Sequence, residues 1–108
     1  MNYAISLLQL DRFEEAKSLL RKTIPMARRV LGESSEIMLN MRKIYARALC
    51  EADGATLDDL REAVMTLDEL ERTARRVLGG SHPTTVEIEA ALREVRAALQ
   101  AATLGQEK

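Results

Sequence analysis

The residue with the clearest potential for acid–base chemistry in this sequence is its single histidine, His82. It lies in the segment 81–85, Ser-His-Pro-Thr-Thr, where an imidazole could act as a general base for the hydroxyl of Ser81 or Thr84. The alternative is a turn that starts a helix, because Pro83 suits the first helical position. The sequence favours the turn.

Cys50, the single cysteine, is either a nucleophile or, beside Ala46 and Leu49, a small packing residue. One histidine and one cysteine in different predicted helices do not form a recognisable set of metal ligands. Gly79-Gly80 precedes a helix start, but it lacks the preceding strand and the Lys-Ser/Thr of a phosphate loop. We therefore expect a non-catalytic protein without catalytic residues, metal or cofactor.

Two arginine pairs, Arg28-Arg29 and Arg75-Arg76, offer forked donors that could bind phosphate or an acidic peptide. Their predicted position at helix C-termini gives a structural alternative, because cations there interact favourably with the helix dipole. The methionines form a second ambiguous set, either an adaptable binding surface or core filler, and their spacing favours core filler. The residues concerned are Met38, Met41 and Met65.

Composition narrows the class of protein. The formal net charge of −1 argues against general attraction to nucleic acid or to an anionic membrane. Residues 1–52 carry a net charge of +3 and residues 53–108 a net charge of −4, so partner contacts at the two ends should differ in sign. A lone cysteine and the lack of a long apolar run predict a soluble cytoplasmic protein.

Apolar residues at spacings of three and four predict amphipathic helices over about 12–31, 35–52, 57–78 and 82–102. A further short helix is expected at 2–10. Asp11 suits the N-cap of the 12–31 helix, with Glu14 completing a capping box, and Gly32 suits its C-terminal end. Pro25 lies inside this helix and should kink it or force a local adjustment.

The hexapeptide at 27–32, Ala-Arg-Arg-Val-Leu-Gly, returns unchanged at 74–79. Tyr3 matches Tyr45 at an offset of 42, whereas Phe13 matches Leu60 at an offset of 47, so an insertion near residues 53–57 lengthens the second unit. Such repetition predicts an all-α fold, an α-α superhelix of about five antiparallel helices. We expect one domain, 1–108, with repeat 1 at about 1–33, repeat 2 at about 34–80 and a C-terminal capping helix at about 82–102.

Several segments resemble tetratricopeptide repeats of the longer, kinesin-light-chain-like kind. They are Asn2-Tyr3-Ala4, Asp11-Arg12-Phe13-Glu14-Glu15-Ala16, Leu19-Leu20, Arg29-Val30-Leu31-Gly32 and Ser81-His82-Pro83. The resemblance covers nearly the whole chain and implies a non-catalytic protein-binding scaffold. The paired asparagines of that subclass would fall at Lys43-Ile44 and Ala90-Ala91, so an asparagine ladder for cargo is not expected.

The family geometry implies that the first helix of each pair lines a concave face. Lys43 and Arg47 would then anchor an acidic side chain or a peptide C-terminal carboxylate by charge-assisted hydrogen bonds. The alternative is a solvated face on which both cations pair with Glu51 or Glu87. The candidate peptide-binding residues are Asn2, Gln9, Asn40, Lys43, Arg47 and Glu51, with Ile5, Glu87, Ala90 and Glu94 on the same face.

A second hypothesis is self-assembly, or docking onto further repeats. Repeat arrays generally need about three units, and this chain has two pairs and one helix. One end of the array should therefore expose apolar surface. The last helix is charged and resembles a cap, so we expect the exposed apolar surface at the N-terminal end. The candidate oligomer contacts are Leu7, Leu8 and Leu10.

Overall fold

The computed structural model describes residues 12–51 and 54–106. This part of the chain forms four α-helices and contains no β-strand. The helices are α1, Phe13–Leu31; α2, Glu36–Glu51; α3, Leu57–Val77; and α4, Pro83–Gln106. The all-α prediction is confirmed. The helix expected at 2–10, with Leu7, Leu8 and Leu10, lies outside the described residues.

The helices pack in chain order, each against the next, and α2 also contacts α4. This arrangement is that of a helical repeat superhelix, as the duplicated hexapeptide predicts. Pro83 occupies the first position of α4, where its missing N–H costs no hydrogen bond. The helix continues to Gln106, about one turn beyond the expected end near residue 102.

The start of α3 is fixed by a capping box. The Thr56 hydroxyl accepts a hydrogen bond from the Asp59 backbone N–H at 3.1 Å, and the Asp59 carboxylate accepts one from the Thr56 N–H at 3.0 Å. The hydrogen bond from the Thr56 backbone holds the pKa of Asp59 below its ordinary value. These bonds satisfy two backbone groups that a helix start otherwise leaves without partners.

The start of α1 differs from the expectation. Arg12 holds the N-cap position without a side-chain capping bond, and Asp11 lies outside the described residues. Glu14, the expected capping-box partner, instead forms an ion pair with Lys17, in which Lys17 Nζ lies 3.1 Å from Glu14 Oε1. Further along, α1 runs through Pro25 without a break, and the proline is on the exposed side of the helix.

Glycine ends both copies of the repeated hexapeptide, as the sequence predicts. Gly32 and Gly79 have φ angles of 77° and 90°, a region that residues with a Cβ rarely adopt. The N–H of Gly32 donates to the Arg28 carbonyl at 3.0 Å, and that of Gly79 donates to the carbonyls of Ala74 and Arg75 at 3.2 Å. Each glycine thus turns the chain while satisfying a helix-terminal carbonyl.

The buried side chains form two clusters, and α2 contributes to both. The first cluster joins α1 and α2: Ala16, Leu20, Ile24, Met38, Met41, Ile44 and Ala48. The second joins α2, α3 and α4: Leu39, Ala46, Leu49, Leu60, Ala63, Leu67, Leu70, Ala74, Ile88, Leu92 and Val95. Met38 and Met41 are core residues as expected. Met65 is not, because its side chain is 72% exposed on α3.

Tyr45 lies between the two clusters and contacts both. Its hydroxyl donates a hydrogen bond to Glu62 on α3 at 2.7 Å and accepts one from Arg21 on α1 at 3.1 Å. The Arg21 guanidinium carbon lies 5.9 Å from the centre of the tyrosine ring, within cation–π range. Burial raises the pKa of the Tyr45 hydroxyl, and the hydrogen bond to Glu62 adds to the rise. One side chain therefore links three helices.

We predict that Tyr45→Phe lowers the free energy of unfolding by about 1 kcal/mol, because it removes both hydrogen bonds and keeps the ring packing. Urea unfolding followed by circular dichroism measures the change. In an Arg21→Ala background the loss should be smaller, since one of the two bonds is already absent. Equal stability of Tyr45→Phe and the wild type would contradict this role.

Candidate functional site

The described residues place a row of polar side chains along one side of α2, next to α4. Asn40, Lys43, Arg47 and Glu51 follow spacings of three and four and so share a face of the helix. Asn40 and Lys43 are half-buried, whereas Arg47 and Glu51 are exposed. We call these four residues the polar row.

Lys43 joins the polar row to α4. Its ammonium Nζ lies 2.5 Å from Glu87 Oε2, in a pair that spans two helices. The Lys43 side chain is 21% exposed and that of Glu87 is 59% exposed, so the lysine is largely covered while the carboxylate faces solvent. The Lys43 ammonium is therefore already paired with a carboxylate of its own chain.

Arg47 is paired within α2. Its Nε donates to both carboxylate oxygens of Glu51 at 3.2 Å, the i,i+4 arrangement that stabilises helices by a few tenths of a kcal/mol. Both side chains are largely exposed, so water and salt screen this pair more than the Lys43–Glu87 pair. Both pairings expected for a solvated face, with Glu51 and with Glu87, are present.

Of the six residues predicted to bind peptide, four are brought together as the polar row, and Asn2 and Gln9 lie outside the described residues. Glu87 enters the site through its contact with Lys43. Two further residues at this edge, Glu36 and Thr84, were not among the predicted set. The Thr84 hydroxyl donates to Glu36 Oε1 at 3.3 Å, which fastens the start of α4 to the start of α2.

His82 belongs to this same junction. Its Nδ1 accepts a hydrogen bond from the Thr84 backbone N–H at 3.1 Å, and its Nε2 lies 3.9 Å from Glu36 Oε1. The imidazole thus caps the first turn of α4, and the Thr84 hydroxyl is directed to Glu36 rather than to the histidine. This geometry fits the helix-start interpretation of the Ser-His-Pro segment.

Thr85, the next residue along α4, is fully buried, and its hydroxyl has no hydrogen-bond partner among the described residues.

One arginine of each pair has a carboxylate partner within the chain. Arg28 pairs with Glu33 at 3.2 Å, just beyond the end of α1. Arg75 pairs with Glu71 at 2.9 Å and also contacts Glu89 of α4. Identical hexapeptides therefore make different contacts, because the positions equivalent to Glu71 and Glu89 in the first copy hold Ile24 and Arg42.

Cys50 is half-buried and packs against the second cluster. Burial raises the pKa of its thiol from 9.0 to about 11, and the charges of Glu51 and Asp59 add to the effect. A thiol of this kind is almost entirely protonated at neutral pH and is a poor nucleophile. The contacts and the pKa agree with a packing role.

No group of three or more His, Cys, Asp or Glu side chains in the described part of the chain is placed to hold a metal ion. No described helix is both long and apolar enough to span a bilayer.

The fold defines the class of protein as a short helical repeat array. Residues 1–36 match the family model of the tetratricopeptide repeat, a segment that includes α1 and the turn into α2. No curated protein and no solved structure gives a significant match to the chain. The first unit is thus similar to a tetratricopeptide repeat, and repeats of this family generally serve as protein-interaction scaffolds.

We predict that Cys50 reacts about a hundredfold more slowly with iodoacetamide at pH 8 than the same thiol in the urea-unfolded chain. The reason is the rise in pKa from 9.0 to about 11, which lowers the thiolate fraction by about that factor. The rate is measured by mass spectrometry of the alkylated protein. Similar rates in the folded and unfolded chains would indicate a reactive thiol.

The raised pKa of the Cys50 thiol makes the free energy of unfolding depend on pH. As the pH rises, the thiol ionises first in the unfolded chain. The contribution of Cys50 to the free energy of unfolding is therefore complete below pH 9 and is lost as the pH approaches 11. Urea unfolding at pH 8 and at pH 10.5 measures this loss. The control is a Cys50→Ala variant, which has no thiol to ionise.

Proposed function

We propose that this chain is a non-catalytic scaffold that binds a protein or peptide along the concave face formed by α2 and α4. The observation that supports it best is the polar row, which contacts α4 through Lys43 and whose first two members, Asn40 and Lys43, are half-buried. Because Lys43 is already largely covered, it loses less side-chain entropy on binding than a fully exposed lysine would. The match of residues 1–36 to a tetratricopeptide repeat agrees with this role.

The proposed ligand is an acidic peptide or one that presents a C-terminal carboxylate. Lys43 and Arg47 would supply charge-assisted hydrogen bonds, with Asn40 as an amide donor about one turn before Lys43. Asn2 and Gln9 would add amide groups, and Glu51 would orient Arg47. We further propose, from the Arg-Val-Leu-Gly and His-Pro motifs, that the chain is of the kinesin-light-chain-like kind. The proposal that it acts in the cytoplasm is based on its lone cysteine and the lack of a long apolar run.

We expect the double variant Lys43→Glu with Arg47→Glu to bind an acidic peptide at least tenfold more weakly, because two attractive contacts become repulsive. The probe is a fluorescein-labelled peptide of ten alternating Glu and Ala residues with a free C-terminus. Fluorescence anisotropy measures its affinity.

The matched control is Arg61→Glu with Arg72→Glu, which makes the same charge change on exposed residues of α3. Equal weakening by both double variants would mean that net charge, and not the polar row, governs binding. Unchanged affinity in the Lys43/Arg47 variant would exclude the polar row as the acidic-peptide site.

Self-assembly is the second candidate function, supported by exposed apolar side chains where α1 ends and α2 begins. Val30 is 83% exposed, Met26 is 67% exposed, and Ile37 and Leu31 are also exposed. Exposed apolar surface of this kind often marks a contact with another chain. The last helix, expected to act as a polar cap, exposes Val86 and Leu104 as well, so apolar surface is present at both ends of the described array.

If the chain self-associates through this surface, Val30→Asp should shift the molecular mass measured by light scattering towards that of a monomer. Met65→Asp, an equally exposed site on α3, is the control and should leave the mass unchanged. A wild-type chain that stays monomeric at the highest attainable concentration would exclude this candidate.

A further inference from the structure

Glu87 occupies the position that a ligand carboxylate would take in the proposed site. Its Oε2 accepts a hydrogen bond from the Lys43 ammonium, the charge-assisted contact that a ligand carboxylate would make there. The two residues are on different helices, so the contact depends on the packing of α4 against α2 and not on local helix geometry.

We propose that Glu87 is an internal competitor that sets how strongly this face binds acidic ligands, an inference that rests on the proposed function. A ligand carboxylate reaches Lys43 only by replacing the Glu87 carboxylate. The exchange leaves the number of ion pairs at Lys43 unchanged, so the net gain on binding is small. Glu87 therefore determines affinity and selects ligands with more than one acidic group.

The exposures of the two side chains support this assignment. Lys43 is covered along most of its length, whereas Glu87 is mostly in solvent. The carboxylate can therefore turn away into water, while the ammonium stays fixed on the face. Displacement costs Glu87 its partner but does not bury an unpaired charge, the situation that makes broken ion pairs expensive.

Arg47, like Lys43, is paired with a carboxylate of this chain. Its partner is Glu51 of the same helix, with 3.2 Å between Arg47 Nε and Glu51 Oε2. Both cations of the polar row are therefore neutralised by carboxylates of this chain. An arriving acidic ligand consequently meets paired charges and not a bare basic patch. The inter-helix pair is the more selective of the two, because only it responds to the spacing between α2 and α4.

The test compares Glu87→Gln with Glu69→Gln. Both substitutions remove an exposed carboxylate that pairs with a largely covered cation of α2, but the partner of Glu69 is Arg42, which is outside the polar row. Affinity for the Glu-Ala ten-residue peptide is measured by anisotropy at low and at physiological salt. We expect Glu87→Gln to bind about fivefold more tightly than the wild type, and Glu69→Gln to change affinity by less than about twofold.

A Lys43→Gln background gives the decisive comparison. Without the ammonium, Glu87→Gln should no longer raise affinity, because the competition is for Lys43. Binding that is equal in the wild type and Glu87→Gln, or that rises equally in Glu69→Gln, overturns the competitor role and leaves the proposed function in place. Absence of peptide binding in the wild type and in every variant overturns the acidic-ligand function and this inference with it.

Discussion

The fold depends on α2 burying two opposite faces at once. One face, with Met41 and Ala48, packs on α1, and the other, with Leu39 and Leu49, packs on α3 and α4. A helix that is apolar on two sides cannot satisfy both by pairing with a single neighbour. The helices on either side are therefore held in place by the same sixteen-residue segment, Glu36–Glu51, and Tyr45 adds polar contacts to both.

Much of this architecture could be predicted from the sequence, because helix periodicity and helix-ending glycines are local signals. The ends at Gly32 and Gly79 and the start at Pro83 follow from backbone geometry that each residue type favours. The Thr56 and Asp59 capping box is a local signal of the same kind. It has Asp at the third helical position, where the usual capping box has Glu or Gln, so the standard motif does not identify it.

The contacts between helices could not be predicted in the same way. The partners Lys43 and Glu87 are 44 positions apart, and Thr84 and Glu36 are 48 apart. Whether such residues meet depends on how far one helix slides along another, which no local pattern encodes. Met65 illustrates the same limit, because its spacing fits a core position although it lies on the outer side of α3. For the polar row, the family geometry offered Glu51 and Glu87 as partners of the two cations, but it did not say which carboxylate pairs with which cation.

Because α2 contributes to both buried clusters, the effect of releasing a helix depends on which helix is released. The first cluster can open by release of α1 alone, which leaves the contacts among α2, α3 and α4 intact. Release of α2 removes apolar partners from both clusters and so approaches complete unfolding. Backbone amides of α1 should accordingly exchange with solvent through a cheaper, partial opening than those of α2. Among the described helices, loss of α1 therefore disturbs one cluster, whereas loss of α2 disturbs both.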